Sequence, residues 1–245
     1  MTELAIKASN ICKQFHINAR ASTITLIKET FSSNGINTSP FYALSDVSFK
    51  VAQGERIGVI GHNGSGKTTL LKLIANLLRP NKGELMVNGS VIYIGGHGIG
   101  MLEDLTVWDN IFLYGAIYGI ERESLNANFD EIIHWAGLDD FVQTKLKHLS
   151  NGMKTRLAFS ITRYFDAQIY LLDEALSAGD KNFREKCDTV FEGYKNKGKT
   201  FIVVSHTLNF IQGFCSKILW LHKGNVKAFG ETDSVLAQYA NFKNS

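Results

Sequence analysis

Between a short run, Arg56-Ile57-Gly58-Val59-Ile60, and a stretch with apolar residues at helical spacing (Leu70, Ile74, Leu77) lies Gly61-His62-Asn63-Gly64-Ser65-Gly66-Lys67-Thr68-Thr69. The run reads as a buried strand and the following stretch as a helix. The junction has the form G-x-x-x-x-G-K-[ST] in the strand–loop–helix setting that a phosphate-binding loop needs. Its glycines let successive backbone N–H groups turn inward on an anion, and the start of the helix adds unpaired amides and the positive end of its dipole. On this reading Gly61 to Thr69 surround the phosphates, Lys67 reaches the β- and γ-phosphates of a nucleotide, and the Thr68 hydroxyl ligates Mg²⁺. A random chain of this length would match the pattern on the order of one time in a hundred, before either flank is demanded. The flanks make chance the poorer explanation.

The chain has 245 residues, enough for one α/β domain, or one with a sizeable subdomain, but cramped for two independent ones. Its 26 Lys and Arg against 23 Asp and Glu give a net charge of +3, and the basic residues are dispersed. Nothing in that distribution demands nucleic acid or an anionic membrane. Cys12, Cys187 and Cys215 are far apart and lack C-x-x-C spacing, which predicts reduced, buried thiols in a cytosolic protein. No charged-then-apolar leader is present, and the most apolar window, Ile111 to Ile120, is too short to span a bilayer. Work at a membrane would therefore require a partner.

Taken in order, Leu4 to Phe15 reads as a first strand, and His16 to Pro40 as a long polar excursion with a short helix at Ile24 to Phe31. Period-two alternation at Val47, Phe49 and Val51 marks a half-buried strand, and Gln53-Gly54-Glu55 the turn into the phosphate-loop strand. The helix after the loop is expected to end at Arg79-Pro80-Asn81-Lys82-Gly83. Glu84 to Val87 and Ser90 to Ile94, around Asn88-Gly89, read as a hairpin. After the glycine-dense hinge Gly95 to Gly100, Thr106 to Leu149 carries helical spacing. Strand patterns return at Ile169-Tyr170-Leu171-Leu172 and Thr200-Phe201-Ile202-Val203-Val204, so the helical stretch is an insertion into an α/β core. Alternating buried runs and helices predict a parallel sheet whose strand C-terminal ends carry the chemistry.

The first of those runs ends in Asp173-Glu174. Beside a phosphate loop, an aspartate at a strand end suits the Mg²⁺ shell, and the next glutamate suits a general base for an attacking water. Upstream, Leu149-Ser150-Asn151-Gly152-Met153-Lys154-Thr155-Arg156-Leu157-Ala158-Phe159 resembles the L-S-G-G-Q signature of ABC ATPases. Taken alone, Ser150 is an ordinary helix N-cap. Its place between the loop and Asp173-Glu174 makes the resemblance extend across nearly the whole chain.

That resemblance implies a P-loop NTPase (RecA-like) core of α/β class with a mostly parallel sheet, an antiparallel β subdomain and a helical insertion. The boundaries it suggests are a core of residues 1–105 and 165–230, helices over 106–164, and a helical tail over 231–245, all in one nucleotide-binding domain. It implies ATP and Mg²⁺, with Ser150, Asn151 and Gly152 of one copy meeting the γ-phosphate held by another. Asp180 falls at the D-loop position at the subunit interface, and His206 at the switch histidine that contacts the γ-phosphate. Two ATP molecules would be sandwiched in a head-to-tail homodimer.

Departures are informative. The hinge glutamine is replaced by His97, which either accepts a hydrogen bond from a metal-bound water or belongs to a hinge without a ligand role. Met153 replaces the signature glutamine, and Ala175-Leu176 the usual Pro-Thr. Tyr42 and Phe15 are the candidates for stacking on adenine. The signature variant, Gly179-Asp180-Lys181-Asn182-Phe183-Arg184-Glu185-Lys186-Cys187, the glycine-rich hinge and the early excursion together resemble the ATP-binding subunits of bacterial surface polysaccharide exporters, which serve O-antigen, capsule or teichoic acid. The implied setting is the cytoplasmic face of the inner membrane, held there by a pair of permease subunits that make most of the contact with the polymer. The carbohydrate-binding module of some members is expected to be absent. An ATPase of this family with another cargo is the alternative. A soluble ABC ATPase acting on DNA or the ribosome would need heptad arms or two nucleotide-binding units, and a GTPase would need Asn-Lys-x-Asp, where Asn196-Lys197-Gly198-Lys199 lacks the aspartate.

Overall fold

A computed structural model describes residues 3–16, 40–95, 100–173, 181–205 and 207–243. The expected helix at Ile24 to Phe31 lies outside those residues, as does most of the excursion around it.

Two sheets share one core. Strands β1 (Leu4–His16), β2 (Pro40–Ala52) and β4 (Lys82–Val87) form a three-stranded antiparallel sheet in the order β2-β1-β4. The second sheet has six strands. It contains β3 (Arg56–Ile60), β5 (Val91–Gly95), β6 (Ile169–Asp173), β7 (Thr200–Val204), β8 (Lys217–His222) and β9 (Asn225–Glu231), ordered β5-β6-β7-β3-β8-β9. All its pairings are parallel except β8 with β9, so the mostly parallel sheet and the antiparallel one are both as expected.

Every residue of β6 and β7 is buried, which explains their continuous apolar sequence: a parallel strand covered on both faces has no polar side. Alternate residues go to opposite faces. Leu171, Ile202 and Val204 join Ile57 and Val59 in a core shared with Ile6, Leu44 and Val47 of the antiparallel sheet. Tyr170, Leu172, Phe201 and Val203 pack on the other side with Phe159, Phe191, Phe214 and Trp220. Helix α1 (Lys67–Ile74) follows the loop and buries Leu70, Leu71 and Ile74 in the first core.

Between β5 and β6 the chain is helical: α2 (Val107–Ile117), α3 (Arg122–Ala127), α4 (Phe129–Ala136) and α5 (Asn151–Thr162). They have their own core, with Val107, Ile111, Tyr114, Ile132, Leu157 and Ile161. A capping box starts α2, where Thr106 accepts from the Asp109 amide and the Asp109 carboxylate accepts from the Thr106 amide. The side chain of fully buried Asn110 bonds to Leu102, Leu105 and Thr106, tying the incoming segment to that helix. The remaining helices are α6 (Lys181–Asn196), α7 (Leu208–Phe214) and α8 (Thr232–Lys243).

Three expectations need correcting. Glu84 to Val87 and Ser90 to Ile94 do not form a hairpin: β4 pairs with β1 and β5 with β6, so Asn88-Gly89 is the crossing from one sheet to the other. Asn88 is held by β1 through its amide to Ala5 O at 2.8 Å and its side chain to Leu4 O at 2.8 Å. Helix α1 stops at Ile74, ahead of the Arg79–Gly83 turn, because Asn76 adopts a left-handed conformation (φ 56°), and Leu77 is left exposed. Finally, Cys187 and Cys215 are buried free thiols, but Cys12 is only half-buried. Among the described residues, no helix is long and apolar enough to cross a membrane.

Candidate functional site

The loop after β3 is shaped by close approach. A Cβ on Gly61 (φ 149°) would lie 2.2 Å from Leu221 O, and one on Gly66 (φ 104°) would lie 2.5 Å from Ala43 O. The loop is thus wedged between β8 and β2 where only glycine fits. Gly66 caps α1 without a side-chain hydrogen bond, and no acidic residue stands in the first turn. Those first amides keep their demand for an acceptor. Lys67 is buried, and its ammonium is steadied by Gly61 O at 2.8 Å and His62 O at 3.1 Å. Ser65 is fully buried and its Oγ has no hydrogen-bond partner among the described residues. An uncapped helix start, a captive ammonium and an orphaned hydroxyl together fit an anion with several oxygens.

A cavity of about 260 Å³ opens beside the loop, walled by Asn63, Gly64, Gly66, Lys67, Thr68 and Thr69 and, from β2, by Phe41 and Ala43. Phe41 is 47% exposed, so its ring is available to a flat ligand above the loop. Neither sequence candidate for that role lines the cavity: Tyr42 points to the opposite face of β2, and Phe15 is the cross-strand partner of Phe41 on β1. Which of residues 41 to 43 faces the loop is set by the register of β2 against β1, which shifts at Ala43, so alternation along the sequence alone does not give it. A larger cavity, about 380 Å³, lies at the far end of α1 near Leu78, Arg79 and Leu85, away from the loop.

Asp173 closes β6 at the same edge of the sheet. It pairs with Val204, which pairs with Val59, placing it two strands, roughly 10 Å, from the residue before the loop strand's end. The carboxylate is almost fully buried, and Tyr93 Oη donates to its Oδ2 at 2.8 Å. Burial, and then the Asp173 charge and hydrogen bond, push the Tyr93 phenol far up, so it stays a donor. Thr68 is exposed at the start of α1. Among the described residues no three His, Cys, Asp or Glu side chains cluster for a metal. Mg²⁺ at a nucleotide needs no such cage: one hydroxyl and one carboxylate oxygen suffice when phosphate and water supply the rest, and Thr68 and Asp173 are donors of that kind.

Ser150 caps α5 and accepts from the Met153 amide at 3.2 Å. Asn151 is exposed, Gly152 half-buried, and neither they nor Ser150 belong to the walls of the loop cavity. The structure therefore does not bring the signature residues of a chain to that chain's own cavity walls. Glu174, Asp180, His206 and His97 lie outside the described residues.

One neighbour of the loop was not foreseen. The His62 ring, exposed on the loop, meets His222 at the end of β8 edge-on, with centroids 5.1 Å apart. Partial desolvation, and then the charges of His62, Lys223 and Lys227, hold the His222 imidazole below the usual histidine range.

Relatives agree with this geometry. The teichoic acids export ATP-binding protein TagH of Listeria innocua serovar 6a is 36% identical over 216 residues, covering 88% of this chain and 64% of that protein. Its namesake in Bacillus anthracis is 41% identical over 201 residues, covering 82% of this chain and 36% of that protein. The chain thus spans between about a third and two thirds of the length of these relatives. A solved ATP-binding subunit of an ABC transporter superposes with a TM-score of 0.73 at 22% identity, covering 96% of this chain and 93% of that one. A dimeric ATP-binding cassette in a post-hydrolysis state, bound to ADP and Pi, also gives 0.73 at 22% identity, covering 93% of this chain and 98% of that one. At that identity the likeness speaks for the fold. A family model, ABC transporter, matches residues 44–177, more than half of the sequence. The chain belongs to the ABC transporter family.

Proposed function

We propose that this chain is the ATP-binding and hydrolysing subunit of an ABC exporter that drives a lipid-linked surface polysaccharide across the bacterial inner membrane. The observation that carries the ATP reading is the loop itself: a glycine cradle with a captive Lys67 ammonium, an unpartnered buried Ser65 hydroxyl and an uncapped helix start, all beside a cavity walled by Phe41. Residues Gly61, His62, Asn63, Gly64, Ser65, Gly66, Lys67, Thr68 and Thr69 surround the phosphates, and Phe41 stacks on the base. Thr68 and Asp173 are the residues that would hold Mg²⁺, which would supply charge neutralisation at the phosphates. Glu174 takes the proton of the attacking water, and His206 contacts the γ-phosphate.

Ser150, Asn151 and Gly152, with Asp180, complete the site from a second copy in a two-fold homodimer, which closes on itself. Residues 1–245 form one nucleotide-binding domain, with core, helical region and tail divided as the sequence suggests. Closure of the dimer on ATP passes through the helical region to a pair of membrane permease subunits, which make most of the contact with the polymer. The chain sits on the cytoplasmic face through those subunits and binds no nucleic acid. Support for the cargo comes from the two relatives, whose names place them in teichoic acid export.

Two variants test the enzyme. Lys67→Ala abolishes ATP binding, whereas Glu174→Gln binds ATP, stalls hydrolysis and accumulates as a dimer on size exclusion. Glu174→Gln turnover equal to the parent would refute Glu174 as the base. Purification from detergent tests the transporter: a multi-span membrane protein co-purifies on this reading, and recovery of ribosomes or DNA instead would sink it.

A further inference from the structure

We propose that Tyr93 is a positioning residue for Asp173, fixing the carboxylate presented to the nucleotide's Mg²⁺ in a space that Gly95 keeps open. The inference rests on the ATPase reading above. Asp173 and Gly95 face each other across β6 and β5, and Tyr93 lies two residues back on the same face, at the diagonal position from which a long side chain reaches across. Its hydroxyl bonds Asp173 Oδ2 at 2.8 Å, and this is the carboxylate's one hydrogen bond among the described residues.

The terminal torsion of an aspartate is broad, so a carboxylate without such a bond samples a range of orientations. Here one oxygen is pinned, and the direction of the other is fixed with it. Gly95 is part of the device. A Cβ there would stand 2.5 Å from Asp173 Cβ and 3.2 Å from the Tyr93 ring carbon that bears the hydroxyl.

Tyr93 is held in turn by the helical region. Tyr118, just past the end of α2, donates its hydroxyl to Tyr93 O at 3.1 Å, and its ring meets Tyr114 edge-on at 5.0 Å. A hydrogen-bonded path therefore runs from α2 through the backbone and phenol of Tyr93 to Asp173. Positioning partners of a metal-bound carboxylate act on metal affinity more than on nucleotide affinity.

The test is a linkage cycle on the full chain. Calorimetry gives the affinity for a non-hydrolysable ATP analogue in EDTA and in saturating Mg²⁺, and their ratio measures how strongly metal and nucleotide support each other. Tyr93→Phe removes one oxygen; it should leave the EDTA affinity unchanged and lower the ratio roughly tenfold. Gly95→Ala keeps every hydroxyl but displaces the pair, and should lower the ratio in the same direction. A purely structural role would lower the melting temperature and leave the ratio alone. If Asp173→Asn collapses the ratio while Tyr93→Phe and Gly95→Ala retain it, the positioning role is overturned and the ATPase reading stands. If the unmodified chain binds no analogue with or without Mg²⁺, the ATPase reading falls and the inference falls with it.

Discussion

Gly61 and Gly64 lie three positions apart in one loop, both at positive φ, yet their surroundings set very different costs for a side chain. At Gly61 a Cβ would meet the Leu221 carbonyl, which belongs to a strand ladder and cannot give way; at Gly64 nothing lies within 4 Å. Gly64→Ala therefore pays only for its backbone conformation, about 1 kcal/mol. Gly61→Ala pays for conformation and for prying β8 from the loop, about 3 kcal/mol or more. Urea unfolding of the two variants measures the difference, and equal midpoints would contradict the wedged loop. The loop was legible in the sequence because its spacing and flanks are local. Phe41 was less so: a bare aromatic near the start of a domain does not say which of its neighbours faces the loop, and register against β1 decides it. Tyr93 carried no sequence signal at all, since its partner lies 80 positions away.

At the scale of elements, α5 poses the sharpest question, because Ser150 has a sufficient structural job. It caps the helix, and so would an aspartate, whose carboxylate accepts the same Met153 amide. Ser150→Ala should cost about 1 kcal/mol, and Thr106→Ala, which opens the capping box of α2, a similar amount. Ser150→Asp should keep the stability. If Ser150 also faces a γ-phosphate, that carboxylate sets like charge against like, and turnover falls on the order of a hundredfold, while Thr106→Ala turns over normally. Parent-like turnover by Ser150→Asp would leave Ser150 as a cap only. Elements whose period is local were read from sequence: β3, β6, β7 and the helices after Thr106. The expected hairpin at Asn88-Gly89 failed for a physical reason. A turn dipeptide reports that the chain bends and not what its flanks pair with: β4 joins the antiparallel sheet beside the 13-residue β1, and β5 joins the parallel sheet beside the fully buried β6.

Among the described α-helices, α1, α5, α6 and α7 begin without acidic residues in the first turn; of these α1 stands beside the loop cavity, and α5, which starts at Ser150-Asn151-Gly152, stands away from its walls. On the proposed reading the starts of α1 and α5 are two half-sites for one nucleotide, brought together by a second copy of the chain. Mixing defective subunits separates this from a site complete in one chain. Lys67→Ala and Ser150→Asp each damage both sites of their own homodimer. A mixed dimer places the two damaged halves in one site and the two sound halves in the other. At equal amounts half of the dimers are mixed, and one site in each is whole, so the mixture should recover about a quarter of the parent turnover when the sites fire independently. A site complete within a single chain predicts no recovery, because every chain in the mixture carries a defect. The measurement is ATP turnover of the two variants alone and after co-incubation, at concentrations where subunits exchange; a mixture no faster than the mean of its components would rule out the shared site.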